Sequence, residues 1–530
     1  MKCPPLLSED LTKTFDLWQR QGYEQVLSKW KGFKGEVREP RGYANILIPH
    51  FRFMGAFTPV GKPTGKRMTD PEVMQSAQEF NWPKWLLEGF DLARPGLFAE
   101  NPWTYTAKYD RWMGSSTRLE VLAEAVDWVW REESVCLSNF GGLDHYEAIN
   151  ELEGKKSPGV PWNRVAKNTE DFLQKFPGHL ELLHEHLGQD GRYVMFYSTS
   201  EKEEIRSNEK LDQRKIRCFT ASSKEMVYIS HRLFGQQNER WFSEWRYMNH
   251  TVGMSKWKGG WHEFHVKTFL WDNNFDGDIS QMEASCWQIL VYVFSCFDWN
   301  LLPQVQKTQE NQRRFWCLLR NRLFSYVVDQ QGNVWLIIGC NKSGDPITIK
   351  LNTRCVKSFM YYAWLRLTGE GRKVFDENVR LRANGDDLVW SVSDRFVGKY
   401  NYLRVKETLA EMNVVIEGSA PYPRIGSEVT YLSAHSAKKG KYWIPKPVSN
   451  KTIVSLAKAA KRVSPGASLE RATAIYREIY WKEEFRVPLL QHIQRLLRKY
   501  AKTHRDDPEW RSAMSQLASD VDIEALYLGL

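Results

Sequence analysis

The stretch LRANGDDLVWSV, Leu381 to Val392, constrains the fold more than any other part of the chain. Asn384 and Gly385 tolerate the backbone of a tight turn, so the flanking runs NVRLRA and LVWSV read as a hairpin. Turn chemistry does not explain Asp386 and Asp387, because Leu388, Val389 and Trp390 follow at once and draw the acidic pair towards a packed sheet. The triplet Gly385-Asp386-Asp387 thus suggests adjacent carboxylates at the tip of a packed hairpin, and other residues have to decide what they do.

With 530 residues the chain exceeds one ordinary core and implies about three or four subdomains. No flexible linker separates them, which favours one interlocked body. Its 23 Trp, 22 Tyr and 26 Phe supply ample core and exclude a disordered chain. A net charge of +10 points to a polyanionic partner, nucleic acid first and an anionic membrane surface second. The eight cysteines are scattered without a Cys-x-x-Cys pair, which argues against structural zinc or a disulfide framework and for a reducing compartment. The start, MKCPPLLSEDLTK, lacks the apolar core of a signal peptide, and the run Trp287 to Phe297 is too short to cross a bilayer. These features predict a soluble intracellular protein.

Texture along the chain predicts a strand at FHVKTFLWD, a helix at EASCWQILVYVFSCF, a strand at NVWLIIGC, a helix at TRCVKSFMYYAWLRL and then the hairpin. That order suits a small sheet with helices on one face. Asp272, Asp276 and Asp278 fall where the first strand is expected to run out, and Asp386 and Asp387 at the hairpin tip. If the strands are neighbours, the carboxylates converge at one sheet edge. Their repulsion makes a divalent cation the natural compensation. Between the two sets, GCNKSGDPITIKLNT places Thr348 and Asn352 four apart on one helix face, after a Ser343-Gly344 turn. The first 140 residues mix Trp-rich helical patterns with Pro and Gly breaks, and the chain beyond VSPGAS reads as helical and basic.

In this order, WDNNFDGD, GCNKSGDPITIKLNT and ANGDDLVW resemble palm motifs A, B and C of the RNA-dependent RNA polymerases of positive-strand RNA viruses. Upstream, KKSPGVPWN resembles motif G and KEEIRSNEKLDQRKIRCFTASS motif F; downstream, VTYLSAHSAKKGKYWIPK resembles motif E. Six ordered motifs between Lys155 and Lys446 are specific as a set, and their forms are most similar to astrovirus and potyvirus polymerases. The resemblance implies an α+β right-hand fold, with a ferredoxin-like antiparallel palm sheet and mostly helical fingers and thumb. It divides the chain into an N-terminal extension and fingertips (1–140), fingers (141–262, motifs G and F), palm (263–300, motif A), a fingers insertion (301–332), palm (333–430, motifs B, C and D) and thumb (431–530).

The same resemblance implies two Mg²⁺ ions, with Mn²⁺ able to substitute, held by Asp272 and Asp386 with Asp387 as a secondary ligand. Ribose selection falls to a motif A aspartate with Ser343, Gly344, Thr348 and Asn352. Family members usually place four residues between the two motif A aspartates, whereas here Asp276 and Asp278 leave three or five after Asp272. Asp276 is the favoured choice and Asp278 the alternative. Lys202, Arg206, Lys215 and Arg217 are expected on the nucleotide, and Ser157, Pro158, Gly159, Lys210 and Arg214 on the template. Where many relatives have a lysine proposed to protonate pyrophosphate, only Arg424 is available, a poor acid. Implied partners are an RNA template with a primer or nascent strand and ribonucleoside triphosphates, with a protein primer and other viral replication proteins as candidates. The implied location is the host cytoplasm, at virus-induced membranes reached through partners. Rival readings are a reverse transcriptase, whose motifs B and C differ, and a non-enzymatic basic RNA-binding viral protein.

Overall fold

Four antiparallel strands carry the acidic hairpin: β1 (Asn273–Ile279), β2 (Val379–Asn384), β3 (Asp387–Val392) and β4 (Ile416–Glu417), in the order β4-β1-β3-β2. The computed structural model describes residues 13–14, 16–17, 51–56, 66–96, 107–109 and 111–529. The chain start, with its lack of a signal-peptide core, and much of the stretch before residue 107 lie outside the described residues.

The hairpin forms as its turn residues require, with Gly385 at φ +67°, a region that favours glycine. Trp390 and Phe275 are cross-strand partners on the inner face, stacked at 5.3 Å and fully buried. Behind them lie three helices: α1 (Leu119–Leu137), α2 (Gln288–Leu301) and α3 (Thr348–Thr368). The sheet's inner face and these helices share the largest core, which includes Leu122, Phe294, Phe359 and Leu388. α3 buries charge as well as apolar surface. Arg354 Nη2 meets Glu133 at 2.6 Å and Asp298 at 2.8 Å, Lys350 meets Asp298 at 2.7 Å, and Lys357 meets Glu132 at 2.6 Å. Cations on successive turns of α3 thus pair with acids of α1 and α2, which fixes α3 in rotation.

Two strand expectations need correction. FHVKTFLWD is not a strand: Gly260–Thr268 is a helix, burying Trp261, Phe264, His265 and Thr268 at helical spacing, and the strand begins after Asp272. NVWLIIGC does form a strand, Asn333–Ile338, but outside the four-stranded sheet. It pairs with Phe51–Ala56 and Phe324–Val328 in a five-stranded sheet completed by Tyr197–Glu201 and Cys218–Ser222. Periodicity marks a strand but not its neighbours.

The C-terminal helices, from Lys451–Lys458 to Asp520–Leu528, enclose a core of their own around Leu469, Leu489, Leu496 and Trp510. Val73, Trp82 and Leu86 enter that core from the other end of the chain. The described residues before 140 therefore serve two bodies, with α1 in the core behind the four-stranded sheet and residues near Val73 in the C-terminal helical one.

Candidate active site

Register across the palm sheet decides which carboxylates meet. Asp278 pairs directly with Asp387 of β3 on one side and with Glu417 of β4 on the other, and Asp387 pairs with Asn384. Paired residues point to one face, so three carboxylates form a row across adjacent strands. Asp386 occupies the turn beside them, its carbonyl accepting the Ile279 N–H at 3.2 Å. Asp278 opens into a cavity, yet protein walls it on enough sides that lost hydration is the largest cause raising its carboxyl, to about 7. The charges of Asp386, Asp387 and Glu417 add to this, and Arg217 opposes it. Asp387 is raised to about 6, by burial and then by Asp386 and Asp276.

Asp272 is not part of this set. It precedes β1 at the end paired with Val392, about 20 Å along the strand from Asp278 at ordinary strand rise. The strand expected to end at Asp272 in fact begins there, which moves the first acidic residue to the wrong end. Asp276 is present on the acidic face, but its carboxylate is spent. It accepts from the Ser419 N–H at 2.9 Å, the Ser419 hydroxyl at 2.6 Å and the Thr430 N–H at 2.9 Å, and pairs with Arg424 at 2.8 Å. Burial would raise its carboxyl, but these partners win and hold it below the usual range. Arg424 is thereby committed to Asp276.

A carboxylate absent from the sequence expectations stands at the cavity. Glu283 lines the same cavity as Asp278, Asp386 and Asn352. Asp278 and Glu283 are separated by four residues, the spacing usual for motif A, with glutamate in the second place. That spacing was the signal; a search restricted to aspartate hides it. Opposite, Asn352 Oδ1 accepts from Asn341 Nδ2 at 2.8 Å and from the Cys286 thiol at 3.4 Å, which turns the amide NH₂ away from those partners.

Ser343, Gly344 and Thr348 do not line the cavity; they build the loop behind it. Ser343 Oγ accepts the Thr220 N–H at 2.9 Å, and Thr348 Oγ1 donates to the Lys342 carbonyl at 2.7 Å. Any Cβ on Gly344 would lie 2.0 Å from the Thr220 carbonyl, so only glycine lets these segments touch. Thr353, a second residue missed, accepts the Gly385 N–H at 3.0 Å and ties α3 to the acidic turn.

Of the basic series, Arg206, Lys210, Arg214, Lys215 and Arg217 line the cavity of about 790 Å³, facing Asp278 and Asp386, whereas Lys202 does not. Glu204 sits among them, 3.1 Å from Lys202, 3.5 Å from Arg206 and 3.7 Å from Arg217. Ser157, Pro158 and Gly159 lie elsewhere, beside the start of the helix Lys224–Ser243. There the Pro158 carbonyl accepts the Lys224 N–H at 2.9 Å and Gly159, at φ +85°, packs on Ser223.

Acidic residues face a basic wall across one cavity, an arrangement suited to divalent cations and a polyanionic ligand. Comparison with known families matches residues 119–497 to "Viral RNA-dependent RNA polymerase". The chain belongs to this family. Its relatives include the genome polyprotein of Tobacco vein mottling virus, 26% identical over 334 residues, and the replication polyprotein of Nora virus, 26% identical over 231 residues. Those matches take in 62% and 43% of the chain, and the chain spans about a tenth (11%) of either polyprotein. The fold matches the Sicinivirus 3Dpol RNA dependent RNA polymerase with a TM-score of 0.65 and 15% identity, over 85% of this chain and 99% of that one. The expected kinship with polymerases of positive-strand RNA viruses and the right-hand fold both hold. Polymerases of this family depend in general on divalent metal. No helix among the described residues is long and apolar enough to cross a membrane.

Proposed function

We propose that this chain joins ribonucleoside triphosphates to the 3′-hydroxyl of an RNA strand under the direction of an RNA template, releasing pyrophosphate, for replication and transcription of a viral genome. The observation that carries the reading is the set Glu417, Asp278 and Asp386 facing Arg206, Lys215 and Arg217 across one cavity, with Asp387 as the cross-strand partner of Asp278.

The acidic row fits a pair of hard divalent cations, Mg²⁺ with Mn²⁺ as a substitute, because its repulsion holds two carboxyls up and its donors are all oxygen. Asp278 and Asp386 would hold them, with Asp387 alongside. Among the described residues no three acidic, histidine or cysteine side chains are grouped so as to hold an ion by themselves, so phosphate and water oxygens have to supply much of the coordination. When bound, the ions lower the pKa of the 3′-hydroxyl and offset triphosphate charge.

The chain's own residues supply the positioning. Arg217, Lys215 and Arg206 receive the triphosphate, and Lys210 and Arg214 the template backbone. Glu283 accepts from the ribose 2′-hydroxyl, and the Asn352 amide donates to it. A hydroxyl satisfies both partners, whereas the hydrogen of a deoxyribose leaves both unpaired. Ser157–Gly159 stays assigned to the template path. The division into fingers (141–262 and 301–332), palm (263–300 and 333–430) and thumb (431–530) is retained, with 1–140 contributing to both ends. RNA, nucleotides, a protein primer and other replication proteins are the proposed partners, and replication membranes in host cytoplasm the proposed site of action.

The test is a primer-extension assay on RNA template with ribo- or deoxyribonucleotides. Ribonucleotide incorporation that requires divalent cation and template is expected. Deoxyribonucleotide use alone would favour reverse transcription, and RNA binding without incorporation would favour a non-enzymatic role.

A further inference from the structure

Glu283 has a partner from an unexpected part of the chain. Lys108 Nζ lies 2.6 Å from Glu283 Oε2, with about a fifth of each side chain exposed (21% and 22%). Lys108 also lines the cavity. The stretch that carries it is tied down at further points. Arg111 Nη1 donates to the Ser280 carbonyl at 3.2 Å, in the turn between Asp278 and Glu283. The Trp112 carbonyl accepts from Asn413 Nδ2 at 2.7 Å, and the Gly114 N–H donates to the Met412 carbonyl at 3.1 Å. A Cβ on Gly114 would stand 2.0 Å from the Glu411 carbonyl, so the backbones are in direct contact there. Lys108, Arg111, Trp112 and Gly114 thus strap the turn after β1 to the segment that leads into β4, the two strands that carry Asp278 and Glu417.

From this geometry we infer that Lys108 is a positioning residue for sugar selection, an inference that rests on the ribose-reading role of Glu283. The ammonium occupies Oε2 and fixes the carboxylate's rotation, so that Oε1 is the oxygen presented to the 2′-hydroxyl. A carboxylate free to rotate would use ordinary long-side-chain freedom to find water instead, and discrimination would fall. Arg111 fixes the backbone of the same turn. Sugar choice in this chain is therefore set partly from Lys108 and Arg111, outside the six motifs.

The experiment measures kcat/KM for UTP and dUTP on one RNA primer–template with a templating adenosine, in the full-length chain and in Lys108→Met, Lys108→Arg and Glu283→Gln. Taking the ratio within one preparation cancels any inactive fraction. Lys108→Met is expected to lower the UTP preference roughly tenfold, chiefly through a higher KM for UTP, with dUTP use unchanged, and Lys108→Arg to keep most of it. Should Lys108→Met fail to fold, Arg111→Met carries the same expectation. A wild-type ratio, or a parallel loss with both nucleotides, overturns the role of Lys108. If Glu283→Gln shifts the ratio and Lys108→Met does not, only the Lys108 role fails. If neither shifts it, the ribose-reading role of Glu283 fails as well.

Discussion

Asp278 and Asp387 are direct cross-strand partners at the open end of the palm sheet, the placement in which like charges repel most strongly. Protonation relieves that repulsion in part, and a bound cation relieves it with both carboxylates ionised. Asp278→Asn and Asp386→Asn are each expected to reduce nucleotide incorporation at least 1,000-fold, on the order of 4 kcal/mol in the barrier, while RNA binding changes little, because binding rests on distributed phosphate contacts. Asp272→Asn should incorporate at near wild-type rate. Single-turnover extension beside filter binding checks all three, and an inactive Asp272→Asn would return the metal site to the other end of β1.

Asp276 gives the opposite expectation. Its carboxylate receives donors from Ser419, Thr430 and Arg424, so Asp276→Ala strands buried partners and should cost about 2–4 kcal/mol of stability. The UTP over dUTP ratio of surviving protein should stay within twofold of wild type. Denaturant unfolding and the ratio assay separate this from a ribose-reading role, which would move the ratio and spare the stability.

The buried network behind α3 makes a third prediction. Arg354 faces both Glu133 and Asp298, and its burial is complete. Arg354→Met leaves Glu133 without its close cation and Asp298 with Lys350 alone, and should destabilise by about 3–5 kcal/mol, whereas changing Arg354 and Glu133 together to apolar residues of similar volume, with the Lys350–Asp298 pair kept, should restore much of the loss. Since α3 also carries Asn352 and Thr353, the single variant should raise KM for nucleotides before it unfolds. Urea titrations with steady-state kinetics below the transition measure both effects.

How far the sequence speaks for itself can be judged residue by residue. The turn at Asn384–Gly385, the α3 helix and the acidic tip are legible because local chemistry sets them. Asp272 misled because NNFDGDI has weak strand character, while the helix before it ends in residues that alternate well enough to imitate a strand. Pairing with β3 and β4, a tertiary effect, settles the strand. Glu283 was hidden by residue type rather than spacing. The Lys108 tie joins positions 175 apart in sequence, and no periodicity encodes such a contact.

A fourth prediction concerns acid. His492 is fully buried, hydrogen-bonded to Ser76 at 2.7 Å and Ser468 at 3.2 Å, and so joins the residues near Val73 to the C-terminal helices. Burial holds its pKa down to about 3, with Arg495 and Arg471 adding to this and Glu72 opposing. The folded chain keeps the ring neutral, whereas the unfolded chain protonates it near its ordinary 6.5. The unfolded state therefore gains the proton, and this part of the stability is present above 6.5 and is lost as pH falls towards 3. The loss is at most about 1.4 kcal/mol per pH unit. His492→Gln removes that titration, so the stability gap between wild type and variant should narrow steadily below pH 6 in parallel denaturant curves.

The fifth prediction separates the basic side chains that face the cavity from the one that does not. Arg217 lines the cavity and acts on Asp278 through its charge, whereas Lys202 is outside the wall with its ammonium on Glu204. A triphosphate contact does not read the base, so Arg217→Ala should raise KM for all four nucleotides alike, by about tenfold for one charge-assisted contact. Lys202→Ala should leave KM within about twofold. If Lys202 meets the template backbone instead, its loss should flatten the slope of log Kd against log salt by about one, the signature of a single phosphate contact. Glu204 links the two tests, because it lies 3.7 Å from Arg217 as well as 3.1 Å from Lys202. Glu204→Gln should release both cations together, steepening the salt dependence of RNA binding while raising KM through a less ordered Arg217. Kinetics for four nucleotides at three salt concentrations measure every arm. A base-dependent KM change in Arg217→Ala, or no salt effect in either Lys202→Ala or Glu204→Gln, would return these side chains to an ordinary solvated surface.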